Sequence, residues 1–319
     1  MIDRRAQSWV LGSVMLGVAL ACGDAEPPLP QGPASGAAAA DSGNLGRRFY
    51  ERNFVFASLS ADSVFIVPWL MQTVEEPDTV TRAARAWLAR GGVWDGFYNE
   101  RWGTAPTRAP TRLVPHLGLQ FVVRDGDALD GILYEQGARS LELALGNANP
   151  AWTDVRGDRY QVLSGSAYLI DQRIDGMILD MARASDGSLP PGGDWAFLLS
   201  GDSAHFIIAG DSEYGGETPP AYRVWGLHEE RQMQWSDVRV DWERTEAFPP
   251  ARRDVPVEWR LWSTDGAIEG SLGAVSAEMH PGEGPGPLLP VRALFEVTGS
   301  VTVGVDVYDV HGVLVHERR

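Results

Sequence analysis

The sequence of 319 residues predicts an all-β protein, with two tandem antiparallel β-barrels or sandwiches from internal duplication and one short helix in the first unit. Two observations carry this prediction. Residues 301–308 alternate valine with threonine, glycine, aspartate and tyrosine, which is the period of two expected of a half-buried strand. The stretch 162–183, VLSGSAYLIDQRIDGMILDMAR, also recurs in modified form at the C-terminus as residues 297–319, VTGSVTVGVDVYDVHGVLVHERR. Such a recurrence indicates a repeat architecture.

The repeat extends beyond this stretch, because further pairs of short blocks occur in the same order in both halves. Within the stretch, Gly165-Ser166 corresponds to Gly299-Ser300 and Asp175-Gly176 to His311-Gly312. The further blocks are Ser60-Ala61-Asp62-Ser63 with Ser200-Gly201-Asp202-Ser203, residues 125–131 with 265–270, and, as a weaker fourth block, Trp94 and Glu100-Arg101 with Trp225 and Glu230-Arg231. Two copies of a unit of about 135 residues follow, each of ordinary domain size. We place the first unit at residues 47–187 and the second at residues 193–319.

Most of the remaining sequence favours strands joined by tight turns. Residues 238–243 and 257–262 alternate apolar with polar side chains. The Asp-Gly pairs at Asp125-Gly126, Asp175-Gly176 and Asp265-Gly266 are typical of hairpin turns, because both residue types tolerate positive φ.

One segment of the first unit has a helical period instead. Val80, Ala83, Ala84, Trp87 and Leu88 follow the three-and-four spacing of one helix face. Acidic residues precede the segment, arginines lie along it, and two glycines follow it, which suits the helix dipole and its caps. We expect this helix to be either a lid on the first barrel or an insertion packed on its flank.

Residues 1–21 have the pattern of a secretory signal peptide. Arg4 and Arg5 form a basic start, and the uncharged apolar run of residues 9–20 is too short for a membrane-spanning helix. The sequence therefore predicts export from the cytoplasm.

The end of this signal resembles the lipobox of bacterial lipoproteins, since small residues precede Cys22, the one cysteine of the chain. In that family the cysteine becomes the lipidated N-terminus, and Gly23 after it suits an outer-membrane anchor that faces the periplasm. Residues 22–46 are rich in Pro, Gly, Ala and Ser without apolar periodicity, so we expect them to form a lipidated cysteine and its flexible tether.

The composition excludes several partners and chemistries. The chain has 43 acidic and 27 basic residues, a net charge of −16, and no lysine. Nucleic acid is therefore not an expected partner, and Schiff-base chemistry on lysine is excluded. The six histidines are scattered, so we predict no metal site and no cofactor.

Clusters of aromatic side chains beside polar ones predict a pocket for a mostly apolar ligand. Aromatic rings give broad apolar contact, and a few convergent polar groups orient the ligand. The candidate ligand-binding residues are Trp94, Tyr98, Glu100, Arg101, Trp102, Trp225, His228, Glu230 and Trp235. The alternative is that these are core aromatics beside surface ion pairs.

Asp180 is the candidate catalytic residue, and His316 holds the equivalent place in the second copy of the closing strand. Ile178, Asp180 and Ala182 share one face of the predicted strand. If this face lines a barrel, Asp180 is a carboxylic acid in apolar surroundings, which suits general-acid work. The alternative is that Asp180 faces water.

The tandem of β-rich units that close on repeated Gly-Ser…Gly strands resembles the double-calycin family, which includes AttH-like proteins and carotenoid 1,2-hydratases. The resemblance implies two lipocalin-like barrels and an apolar cavity for a lipid or isoprenoid. Three functions stay open: an envelope lipoprotein that binds or carries a hydrophobic small molecule, a hydratase- or isomerase-like enzyme on such a molecule, and a β-sandwich module that binds carbohydrate or protein.

Overall fold

The computed structural model describes residues 46–124, 128–170, 172–186, 190–210, 221–229, 231–284 and 286–318. These residues form eighteen strands and one 3₁₀ turn, Pro249–Ala251, with no α-helix among them, and so contain no helix able to cross a membrane. The predicted all-β class is confirmed. The signal peptide, Cys22, most of the tether, the Asp125-Gly126 turn and Glu230 lie outside the described residues.

The first ten strands form one curled antiparallel sheet. They are β1 (Arg48–Ser58), β2 (Phe65–Glu76), β3 (Thr79–Arg90), β4 (Val93–Thr104), β5 (Leu119–Val123), β6 (Leu129–Gln136), β7 (Arg139–Ala148), β8 (Trp152–Thr153), β9 (Arg159–Leu169) and β10 (Gln172–Asp186). Their order is β4-β3-β2-β1-β10-β9-β7-β6-β5, and β8 pairs with β9. Because β4 and β5 are edges, this unit is a half-barrel that stays open where the chain passes from Thr104 to Leu119.

The last eight strands close into a complete antiparallel barrel. They are β11 (Trp195–Ser200), β12 (Ala204–Gly210), β13 (Tyr222–His228), β14 (Arg231–Phe248), β15 (Arg253–Ser263), β16 (Ile268–Pro281), β17 (Val291–Val303) and β18 (Asp306–Arg318). Sequential strands are neighbours, and β18 pairs with β11. The predicted architecture of two lipocalin-like β units is confirmed, with one unit closed and the other open.

In strands that have both faces buried, alternate side chains pack into separate apolar layers. On β10, Ile178 points into the concave core of the half-barrel, whereas its neighbour Leu179 points into a layer between the two units. Trp225 of the barrel is fully buried in that layer, and Trp259 packs in the barrel interior. The convex face of the half-barrel therefore rests on the outer wall of the barrel.

The predicted helix is wrong, because its residues form the strand β3. Val80, Ala84 and Ala86 are buried on one side of the strand, with Ala84 and Ala86 in the concave core. Trp87 is buried on the other side, in the layer between the units. This change of buried face produces a three-and-four spacing in an extended chain. Pairing with β2 and β4 on both sides then outweighs the helix propensity of the alanines.

The duplicated blocks mostly occupy equivalent places in the two units. Asp62 lies in the turn between β1 and β2, and Asp202 lies in the turn between β11 and β12. Val162 starts a paired block that runs through β9 and β10, and its copy runs through β17 and β18. The weak fourth block does not correspond, because Trp94 lies on the fourth strand of its unit and Trp225 on the third.

The Asp175-Gly176 pair does not form the predicted turn, since it lies inside β10. A Cβ on Gly176 would lie 2.3 Å from the carbonyl oxygen of Ala57, and one on Gly312, its repeat, 2.0 Å from the carbonyl oxygen of Phe197. These repeated glycines therefore permit a close approach of strands.

By contrast, Asp265-Gly266 does form the turn between β15 and β16, with φ +69° at Gly266.

Candidate functional site

A cavity opens on the concave face of the half-barrel, under the connection from β4 to β5. Its apolar lining comprises Met71, Ala84, Trp102, Leu113, Leu119, Phe121 and Ala182, and its polar lining includes Tyr50, Arg52, Thr73, Arg82 and Thr111. About 40 Å³ is open to the centres of water-sized molecules, which is room for about three waters. A larger ligand must therefore extend through the mouth or displace the connection.

A row of side chains across three strands forms one wall of this cavity. In the strand register Thr73 on β2 lies opposite Arg82 on β3, and Arg82 lies opposite Trp102 on β4. Side chains of directly paired residues point to the same face of a sheet, so all three face the cavity. Trp102 is further held by stacking on His116, with ring centroids 4.4 Å apart and an angle of 10°.

Arg82 brings a positive charge into this apolar wall. It is 5% exposed, and its Nη1 donates hydrogen bonds to Thr73 Oγ1 at 3.3 Å and to the Arg112 carbonyl oxygen at 2.7 Å. Burial lowers the pKa of its guanidinium from the ordinary value. The bond to Arg112 ties the β4–β5 connection over the cavity.

Tyr50 supplies a phenolic hydroxyl group to the cavity wall. Its hydroxyl donates a hydrogen bond to Glu75 Oε2 at 3.0 Å. Burial, followed by the hydrogen bond and charge of Glu75, raises the pKa of this phenol. The pair is therefore a carboxylate linked to a neutral phenol at the edge of the cavity.

Asp180 lies on the concave face beside the cavity, but it is not an isolated acid. Arg52 donates to both of its carboxylate oxygens, from Nε at 3.2 Å and from Nη2 at 3.1 Å. Asp180 is therefore half of a bidentate ion pair, not a carboxyl group in wholly apolar surroundings.

The equivalent position in the closed barrel holds a buried histidine. His316 Nδ1 lies 3.0 Å from both carboxylate oxygens of Asp194, which also accepts a hydrogen bond from the Glu317 amide. The adjoining cavity offers about 20 Å³ to water-sized molecules, room for about one water. The barrel interior is therefore packed, and the more open cavity lies in the half-barrel.

A wider cleft of about 520 Å³ lies between the units, and ion-paired side chains form part of its lining. Glu51 accepts a hydrogen bond from Arg183 at 2.6 Å, and Arg292 pairs with Glu317. Arg292 also lies 3.9 Å from Glu51, which links the two units. These groups satisfy one another, so the cleft is a weaker candidate than the half-barrel cavity.

Of the candidates in the first unit, Trp102 lines the cavity and Tyr98 lies in the core beside it. The Tyr98 hydroxyl donates to the His116 carbonyl oxygen at 2.7 Å. Glu100 is half-buried between these two positions on the same side of β4. Arg101 is exposed on the opposite side of the strand.

The other candidates among the described residues do not reach the cavity. Trp94 and Trp225 pack in the layer between the units, where the Trp94 indole donates to Ser276 Oγ at 3.0 Å. His228 Nδ1 lies 3.0 Å from the Tyr308 hydroxyl, and Trp235 packs against the barrel core. The predicted residues of the two units therefore do not form one pocket.

Sequence reasoning missed Arg82, Arg52 and Tyr50. The signal that was available for Arg82 is its period of two with Ala84 and Ala86, which a strand assignment would have placed on the concave face. In the described part of the chain no group of three or more His, Cys, Asp or Glu is arranged to hold a metal ion.

No protein-family model and no curated protein sequence matches the chain. Solved structures share its fold, among them the following two. Kievitone hydratase from Nectria haematococca aligns with a TM-score of 0.55 and 12% identity over 85% of this chain and 89% of that one. A protein from Nitrosomonas europaea assigned as an AttH aligns with a TM-score of 0.56 and 11% identity over 91% of this chain and 99% of that one. The chain therefore has the two-unit β fold of these AttH-like and hydratase structures.

Proposed function

We propose that this protein binds a hydrophobic small molecule in the half-barrel cavity and is held at the cell envelope by a lipid on Cys22. The observation that carries the proposal is the cavity itself, because an apolar wall with a few convergent polar groups is the usual composition of a small-molecule site. The half-barrel is open between β4 and β5, which gives a ligand a way in.

The ligand would lie against Trp102 and Phe121 with its far end at the mouth of the cavity. The connection that carries Leu113 covers this region, and it is tied to the half-barrel by the hydrogen bonds from Arg82 to Arg112 and from Tyr98 to His116. A ligand longer than the present cavity requires the connection to move between these two bonds.

The test is binding of the neutral fluorescent probe N-phenyl-1-naphthylamine to the full chain carrying Cys22→Ser, which prevents lipidation. Ala184 lines the cavity mouth and is half-buried, so Ala184→Trp should fill the mouth and weaken probe binding by at least about tenfold. Ala247→Trp on the exposed face of β14 is the matched control and should bind like the parent. A parent chain that binds no probe, or an Ala184→Trp chain that binds equally well, would overturn the proposal.

A second candidate is a hydratase-like enzyme in the same cavity, favoured by the fold shared with kievitone hydratase and by the Tyr50–Glu75 pair. Hydration transfers a proton to one alkene carbon while water adds to the other and loses its own proton to a base. An isoprenoid alkene incubated with the chain should then gain the mass of one water. Tyr50→Phe should abolish this gain and keep probe binding, whereas an unchanged alkene with the parent leaves binding alone.

A further inference from the structure

One buried charge of the half-barrel has no counter-charge among the described residues. Arg82 is 5% exposed, its two hydrogen bonds go to a hydroxyl and a carbonyl oxygen, and no carboxylate of the described residues pairs with it. Its Nε is enclosed and lacks a hydrogen-bond partner within those residues. A buried cation without an anion is unfavourable, so its presence in a cavity wall requires an explanation.

Two other enclosed arginines of the half-barrel are paired with carboxylates. Arg183 is 4% exposed and pairs with Glu51 at 2.6 Å, and Arg52 binds both oxygens of Asp180. Arg82 differs from these two arginines, although it lies in the wall of the same cavity.

A structural role accounts for part of the arrangement but not for the charge. Arg82 Nη1 holds the β4–β5 connection through the Arg112 carbonyl oxygen. A neutral amide side chain offers the same kind of donor without a buried charge. The remaining requirement is for an anion that comes from outside the described chain.

A second hydrogen-bond donor in the same wall supports the same requirement for an anion. Trp102 lies directly opposite Arg82 in the register of β3 and β4, and its indole Nε1 is enclosed without a hydrogen-bond partner among the described residues. A guanidinium and a neighbouring indole N–H together suit a carboxylate, which has two acceptor oxygens and is well matched by the planar guanidinium.

We infer that Arg82 anchors the carboxylate of an amphipathic ligand, an acid with an apolar tail that lies along the Trp102 side of the cavity. This inference rests on the proposed binding function and names the class of ligand. The chain carries a net charge of −16, so its overall field opposes an anionic ligand and any preference for one must arise locally.

The test compares dodecanoate with dodecanol, which share a chain length and differ in charge, by calorimetric titration of the full Cys22→Ser chain. Dodecanoate should bind about 10- to 100-fold more tightly, the range for a charge-assisted hydrogen bond. Arg82→Gln should remove this preference while dodecanol binding remains. Arg90→Gln, at the exposed end of the same strand, should keep the preference.

The outcomes distinguish the carboxylate anchor at Arg82 from the binding function of the cavity. Equal binding of acid and alcohol to the parent, or an acid preference that survives Arg82→Gln, overturns the carboxylate anchor and leaves the binding function standing. Failure of both compounds to bind overturns the binding function and the anchor with it. If Arg82→Gln does not fold, the ratio of the parent's affinities for dodecanoate and dodecanol still tests whether the cavity prefers a carboxylate.

Discussion

Replacing His205 should change how the stability of the protein depends on pH. This residue is 5% exposed in the layer between the units, with its ring 6.2 Å from that of Trp152, and burial lowers its pKa to about 4. The folded protein keeps His205 neutral down to about pH 4, whereas the unfolded chain takes up the proton near pH 6.5. Because the unfolded state binds more protons in this window, His205 makes stability rise with pH from 4 to 6.5, by about 3 kcal/mol in all.

Asp158 should act with the opposite sign. It is 4% exposed, and burial raises its pKa to about 6 although Arg156 lies 3.2 Å away and lowers it. Between pH 3.8 and 6 the folded state holds a proton that the unfolded chain has lost, so stability falls as pH rises. The loss is about 3 kcal/mol in total, so the two effects nearly cancel between pH 4 and 6.

The assay is urea unfolding at pH 4, 5, 6 and 7, with each variant compared to the parent so that shared titrations cancel. In His205→Gln the free energy of unfolding should fall relative to the parent by about 1.4 kcal/mol per pH unit between pH 4 and 6, and in Asp158→Asn it should rise by the same amount. Gln120→Ala, an exposed change on β5 that removes no titratable group, should show the same pH dependence as the parent. If His205→Gln or Asp158→Asn also shows the parent's pH dependence of the free energy of unfolding, the reasoning from burial is refuted.

Two further predictions concern ion pairs. Arg183→Met leaves the Glu51 carboxylate buried, with Arg292 at 3.9 Å, so unfolding free energy should fall by about 3–5 kcal/mol. The double variant Glu51→Gln/Arg183→Met should recover much of this loss; an additive result would contradict the pairing. Asp180→Asn removes the charged partner of Arg52 and should cost about 1–3 kcal/mol by urea unfolding. If the parent hydrates an alkene, an Asp180→Asn chain that loses stability but keeps the parent's hydration rate would confirm that Asp180 is structural.

Much of the fold could be predicted because its signals are local or repeated. The alternation of residues 238–243 needs only neighbouring residues, and it lies inside β14. The prediction of one strand over residues 301–308 is wrong, because Gly304 and Val305 form the turn between β17 and β18 and Val301 pairs with Tyr308 across it. The repeat placed Asp62 and Asp202 in corresponding turns. Close-approach glycines such as Gly312 were also detected by their recurrence, although a glycine in a repeated motif does not reveal whether it serves a turn or a strand crossing.

The assignment of β3 failed because periodicity assumes that one face is buried along the whole element. In β3 the buried face changes between Ala86 and Trp87, since one end lines the half-barrel and the other end packs against the barrel. That change depends on where the second unit docks, which no local pattern contains.

The candidate site was predicted in part for the same reason. Trp102 was found from its aromatic neighbours, but the role of Arg82 depends on register across three strands and on the connection that carries Arg112. The helix assignment separated Arg82 from Trp102, so their common cavity could not be seen. Asp180 was placed on the correct face, but its partner Arg52 lies far away in the sequence and is brought close only by the pairing of β1 with β10.

The central claim is that the half-barrel cavity holds one hydrophobic molecule, and native mass spectrometry tests it most directly. The full Cys22→Ser chain, purified without detergent and exposed to a lipid extract of bacterial envelopes, should carry one apolar molecule per chain. The Ala184→Trp chain, with the cavity mouth filled, should carry none, and the Ala247→Trp chain should match the parent. A parent chain that shows only its own mass, or an Ala184→Trp chain loaded to the same extent, would contradict the account.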